Sequence, residues 1–97
     1  MVSIIENWSD ITGQIRSLMP APDLKEFLIA RVFIERVQAV EGFPSLLGET
    51  AGTEQTIYIP TTLAEKCRVV SGTHITGRVR KANQQRIFVH HEHFACA

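Results

Sequence analysis

Residues Thr56–Phe94 read TIYIPTTLAEKCRVVSGTHITGRVRKANQQRIFVHHEHF, and the order of pieces in this stretch decides the fold. Three runs, Thr56–Ile59, His74–Arg80 and Arg86–His90, alternate polar and apolar residues, the period of a strand with one face in a core. Pro60 ends the first run, because proline has no amide to give to a ladder. Thr61 or Thr62 is then placed to cap a short helix over Leu63–Cys67. Gly72 opens a turn into a hairpin of His74–Arg80 and Arg86–His93, with Lys81-Ala82-Asn83-Gln84-Gln85 as its loop.

The same stretch holds most of the positive charge. No acid stands between Glu65 and Glu92, whereas Lys66, Arg68, Arg78, Arg80, Lys81 and Arg86 all do. Residues 1–65 carry nine acids and four bases, and residues 66–97 carry six bases and one acid. The net charge of zero argues against a dedicated, high-affinity nucleic-acid binder. The asymmetry nevertheless permits a local positive field on a neutral molecule, unless Glu41, Glu49, Glu54 or Glu65 compensate it in space. With Ile75, Val79, Ile87 and Val89 turned inward, alternation sends Thr76, Arg78 and Arg80 outward on one strand and Arg86, Phe88 and His90 outward on the other.

Working back toward the N-terminus, Ser9 or Asp10 is suited to cap a helix, and Ile11, Ile15 and Leu18 fall at i, i+4 and i+7. Gly13 weakens that helix, and Pro20 and Pro22 end it. Residues 1–22 are accordingly expected as an N-terminal helical extension, with Trp8 as a hydrophobic anchor. Asp23–Val40 admits two readings. Leu24, Phe27, Leu28, Arg31 and Val32 would share a helix face, but the β-branched and aromatic density of Ile29–Ile34 favours a strand. Val32 and Ile34 differ in parity from Val37, so a bulge near Glu35–Arg36 is required to keep both sets inside. Glu41–Gln55 reads as loop, broken by Gly42, Pro44, Gly48 and Gly52 and pinned to the core by Phe43, Leu46 and Leu47.

From about Ala30 to Phe94 the chain resembles the OB-fold superfamily of small Greek-key barrels. The resemblance rests on RVFIERVQAVEGFP as a long bent opening strand, IYIP, the LAEKC helix, and VVSGTHITGRVR leading to RIFVH. It implies a mainly β architecture, a single domain over residues 1–97 with the barrel in 23–97, and a short helix before the last hairpin. The match has one gap: between Val40 and the helix one strand is visible where the fold requires two, so either the Glu41–Gln55 loop pairs as a strand or the barrel is incomplete. Proteins of this superfamily bind oligonucleotides across the second and third strands and adjoining loops. Here that surface would add Tyr58 and the Glu41–Gln55 loop, whose acids count against it.

The chain carries no nucleophile elbow, phosphate-binding loop, dinucleotide fingerprint or HExxH pair, and neither cysteine shows a recognisable base–orienter arrangement in sequence. The expectation is a non-enzymatic protein without a cofactor. His91 and His93, at i and i+2, would face one way and His90 the other; two ligands do not close a tetrahedral metal site. Cys67 reads as a small buried apolar residue and Cys96 as an exposed one near the chain end, unpaired in a reducing cytoplasm. The longest apolar stretch, Phe27–Ile34, is interrupted by Arg31, and no run is long enough to span a bilayer. Without a secretory signal, a cytoplasmic location follows as an expectation.

Two functions remain. The first is weak binding of single-stranded nucleic acid, alone or within an assembly, with Arg78, Arg80, Lys81 and Arg86 on the phosphates and Phe88 and Tyr58 stacking on bases. The second is a protein-interaction or structural adaptor that forms homo- or hetero-oligomers through the Ile/Leu stripe of the N-terminal helix and the barrel face.

Overall fold

Alternation prevails over helical spacing at the N-terminal end. In the computed structural model, which describes residues 6–83 and 86–96, Ser9–Pro20 forms the first strand, β1. Ser9, Ile11, Gly13 and Ile15 are buried, and Asp10, Thr12 and Gln14 alternate with them on the outer side. The expected helical extension is thus corrected: its described part supplies a barrel strand. Ile11 and Ile15 satisfy both periods, and Gly13 between them decides. A Cβ at Gly13 would stand 2.5 Å from the Phe33 carbonyl oxygen and 2.7 Å from Val32 Cγ1, so only glycine lets the next strand approach this closely. The two expected caps serve elsewhere: Ser9 Oγ hydrogen-bonds Ser45 Oγ at 2.7 Å, and Asp10 accepts from Arg78.

β2 (Phe27–Ala39) runs antiparallel to β1, which settles Asp23–Val40 in favour of strand from Phe27 onward. Gly13 pairs with Ile34 and Thr12 with Arg36, leaving Glu35 as the extra residue. This is the expected bulge. It resets the parity so that Val32 and Ile34 are buried and Val37 packs against the same core. The long bent strand is therefore the second, and the strand missing from the resemblance is β1 rather than a piece of the 41–55 loop.

β3 (Glu54–Pro60) pairs with β2 and ends at its proline. α1 (Thr61–Cys67) follows with Pro60 at the N-cap and no side-chain cap, so neither threonine plays the expected part. The Thr61 amide instead donates to the Glu26 carbonyl at 2.9 Å, which satisfies one orphan of the first turn. Arg68 ends the helix in the left-handed region, φ 54°, and its amide returns to Glu65.

β4 (His74–Asn83) and β5 (Arg86–Cys96) form the expected hairpin. Lys81 to Asn83, expected as loop, continue β4, and Gln84 and Gln85 lie outside the described residues. The strands close a barrel in the order β1-β2-β3-β5-β4, with β4 returning to β1 and a short parallel contact between β3 and β5. Inside, Ile11, Ile15, Val32, Ile34, Ile57, Ile59, Ile75 and Val79 are each at most 2% exposed. At roughly 1.5–3 kcal/mol per fully buried large aliphatic side chain, this interior carries the fold. Leu63, Ala64 and Cys67 bring α1 into the same cluster.

Closure also corrects the cysteines. α1 ends beside the end of β5, so Cys67 and Cys96 lie with Cα atoms 6.0 Å apart and form a disulfide. That separation falls inside the ~4.4–6.8 Å span of such bonds. Both are half-buried against the core. A separation of 29 residues conceals this adjacency in the sequence. No helix among the described residues is long and apolar enough to cross a membrane.

Candidate nucleic-acid interface

The parallel contact between β3 and β5 places Tyr58 directly opposite Phe88. Ile57, Ile59, Ile87 and Val89 point into the barrel, so Tyr58 and Phe88 share its outer face. Their rings lie 5.1 Å apart and tilted by 33°, and Phe27, at the start of β2, meets the Phe88 ring edge-on at 5.4 Å. Tyr58 is the covered member at 8% exposure, and Phe88 remains half-buried with ring surface toward solvent. No helix among the described residues lies over it. The Arg86 guanidinium stands 5.4 Å from the centre of the Tyr58 ring and forms an ion pair with Asp23, in the connection between β1 and β2.

β4 contributes the cations. Arg80 pairs with Phe88 across the β4–β5 ladder, is exposed, and makes no ion pair among the described residues. Arg78, two residues away on the same face, donates from Nε to Asp10 Oδ1 at 2.9 Å and from Nη2 to Asp10 Oδ2 at 3.3 Å. The carboxylate raises the already high Arg78 pKa further. Lys81 turns away from this face: with Arg31, Leu47 and Glu54 it lines a separate cleft at the rim. Its backbone is gripped on both sides by Asn7, whose Nδ2 donates to the Lys81 carbonyl and whose Oδ1 accepts the Lys81 amide, both at 2.9 Å. Asn7, only 1% exposed, thereby extends the seam of β1 and β4 by a side-chain imitation of a strand pair.

The structure thus brings Tyr58, Arg80, Arg86 and Phe88 together, sets Arg78 beside them in an ion pair, and separates Lys81. The late bases are partly neutralised, and the acids that pair with Arg78 and Arg86 are Asp10 and Asp23 rather than any of Glu41, Glu49, Glu54 or Glu65. Neither is close in sequence to its partner, so only barrel closure exposes the pairing.

Trp8, His90 and His91 line the same groove as Phe88 and Arg80, and of the three the sequence turns only His90 outward, beside Phe88. β5 departs from its partner between Val89 and Phe94: Val89 pairs with Val79 and Phe94 with Gly77, so His90–His93 bulge opposite Arg78 alone. A Cβ on Gly77 would already sit 3.3 Å from the His93 carbonyl oxygen, which is how glycine admits the bulge. The bulge corrects the expected separation of the histidines, since His90 stacks on His91 at 4.9 Å and meets His93 edge-on at 4.7 Å. Trp8 packs edge-on against His90 at 5.0 Å. The Glu92 amide donates to His90 Nδ1 at 3.0 Å, a bond that requires this nitrogen to be unprotonated. Burial first, then the charges of His93, His91 and Arg78, hold the His90 imidazole below its ordinary pKa against the opposing charge of Glu92. Among the described residues no group of three His, Cys, Asp or Glu is placed to hold a metal ion.

No protein-family model, curated protein or solved structure matches this chain.

Proposed function

We propose that this protein is an OB-like barrel that binds single-stranded nucleic acid weakly on the outer face of β3, β5 and β4, without catalysing a reaction. The strand order, the parallel β3–β5 contact and the helix between β3 and β4 support the assignment to an OB-like barrel. The observation that carries the functional reading is the half-buried Phe88 ring tilted against Tyr58, with Arg80, exposed and without an ion pair among the described residues, opposite it on the ladder. An aromatic platform beside a free guanidinium is what an unpaired base and its phosphate require, and a base in a duplex cannot reach such a platform. Affinity is low because Arg78 and Arg86 are already engaged by carboxylates. The adaptor reading loses one of its two elements, since the Ile/Leu stripe is part of a strand and Ile11 and Ile15 are core, and keeps the barrel face.

Fluorescence anisotropy with labelled single-stranded oligonucleotides tests the proposal. Phe88→Ala is expected to weaken binding roughly 5- to 150-fold, from about 1–3 kcal/mol per stacked base, and to leave the salt slope unchanged. Arg80→Ala is expected to weaken binding to all sequences alike and to flatten the slope by about 0.7, one phosphate on a single strand. Absence of binding at low salt, or binding indifferent to salt, refutes the proposal.

A further inference from the structure

The groove over Phe88 does not stop at that ring. It measures about 320 Å³ and is walled at one end by Phe27 and Phe88 and at the other by Trp8 and His90, with Arg80 along its length. This is at the lower edge of the ~300–1,000 Å³ typical of small-ligand sites. We infer that Trp8 and His90 form a second base-stacking subsite, which takes the nucleotide next to the one on Phe88. The inference rests on the single-strand reading above and deepens it.

Three observations converge on this placement. Phe88 and His90 alternate with the buried Val89 and so share one face of β5. Two residues along a strand span about 6.6 Å. That is about twice the ~3.4 Å rise between stacked bases in one strand of a duplex, so neighbouring bases reach both platforms only when separated and extended. Arg80, the ladder partner of Phe88, lines the same groove and offers its guanidinium to the phosphate that leads from one platform to the next. Finally, the neutral His90 ring, held by the Glu92 amide and by Trp8, is oriented by contacts that no core requirement explains. The occupant is thus a dinucleotide step of an unpaired strand, read by ring faces rather than by base edges. The site is expected to tolerate sequence and to reject duplex.

Trp8 is the sole tryptophan, so its emission reports this subsite alone. The test titrates the full chain with oligothymidylates of increasing length, following anisotropy and Trp8 emission together. The shortest strands are expected to engage Phe88 with Trp8 emission unchanged, and longer ones to quench it. His90→Ala and Trp8→Leu are each expected to reduce affinity for long strands roughly 5- to 150-fold, with little effect on the shortest. Urea melts of both variants identify any loss that comes from unfolding, and His90, half-buried at the surface, serves as the second variant if Trp8→Leu does not fold. If long strands bind both variants as they bind the wild type, while Phe88→Ala binds poorly, the second subsite is refuted and the face remains. If no strand binds the wild type at low salt, both readings fall.

Discussion

Gly13→Ala separates a barrel strand from a helix at residues 9–20 by the sign of its effect. The added methyl would meet a ladder carbonyl, that of Phe33, at 2.5 Å, nearly an ångström inside the 3.4 Å where ordinary contact begins. Val32 Cγ1 at 2.7 Å blocks retreat toward the core, where Val32 itself is fully buried. Relief requires β1 to move away from β2 at the Glu35 bulge, and overpacking of this kind costs about 1–3 kcal/mol. The stiffer unfolded chain returns about 0.4–1 kcal/mol. The net expectation is destabilisation by about 1–2 kcal/mol. With urea slopes of about 1–3 kcal/mol/M for small domains, the midpoint should fall by about 0.3–2 M at unchanged slope. In a helix the same substitution would stabilise by about 0.8–1 kcal/mol. A midpoint that stays or rises, followed by circular dichroism, refutes the close approach of β1 and β2 and with it the placement of Gly13.

Asp10→Asn is expected to free Arg78, raising affinity for single-stranded oligonucleotides at low salt and steepening the salt slope, whereas Arg78→Ala should weaken binding less than Arg80→Ala; anisotropy across a salt series decides both. His90 has a lower pKa folded than unfolded, so the unfolded chain takes up the proton first as pH falls. Its contribution is complete above the ordinary histidine value of about 6.5 and is lost as pH drops through the lower folded value. Thermal melts from pH 7.5 to 5 should show a decline that is shallower in His90→Asn, and an equal decline in both refutes the assignment. The Cys67–Cys96 bond closes a loop of 29 residues, and its removal by Cys96→Ser should cost about 2–4 kcal/mol in urea melts, whereas an unchanged midpoint would show that the bond constrains nothing.

Residues whose environment is set by near neighbours were legible. The alternation of His74–Arg80 and Arg86–His90 predicted which of their side chains face the core, and the parity change between Ile34 and Val37 predicted the Glu35 bulge. β1 was misread because Ile11, Ile15 and Leu18 fit a helix stripe, and the discriminating fact, the closeness of Phe33 to Gly13, is a contact across strands. A glycine midway between two isoleucines two residues to either side was the signal available: a strand tolerates it at a crowded crossing, and a helix only pays for it. Alternation turns His90 outward beside Phe88, but its contact with Trp8 is not legible in the sequence, because helical spacing makes Trp8 an anchor ahead of a helix and the His90–His93 bulge arises from a register shift that no residue of β5 announces by itself.

Charge shows most clearly how far chain order is from surface. The excess of bases after Lys66 suggested a positive face, yet the barrel sets Asp10 of β1 against Arg78 of β4 and Asp23 against Arg86 of β5. Asp10 lies in the segment expected as a helical extension, so for its pair with Arg78 the fold and the electrostatics are corrected together, whereas Asp23 lies just beyond that segment. Once β1 is a strand, closure requires it to lie beside β4, and Asp10 and Arg78 then become register partners. Among the described residues, the one guanidinium of this face without an ion pair is Arg80, which shares it with Phe27, Tyr58, Phe88, Trp8 and His90. On the proposed reading, affinity for a single strand would come from stacking more than from counterion release. The salt slope should therefore be shallow, near the value for a single phosphate, while removal of a ring should cost more than removal of any one charge.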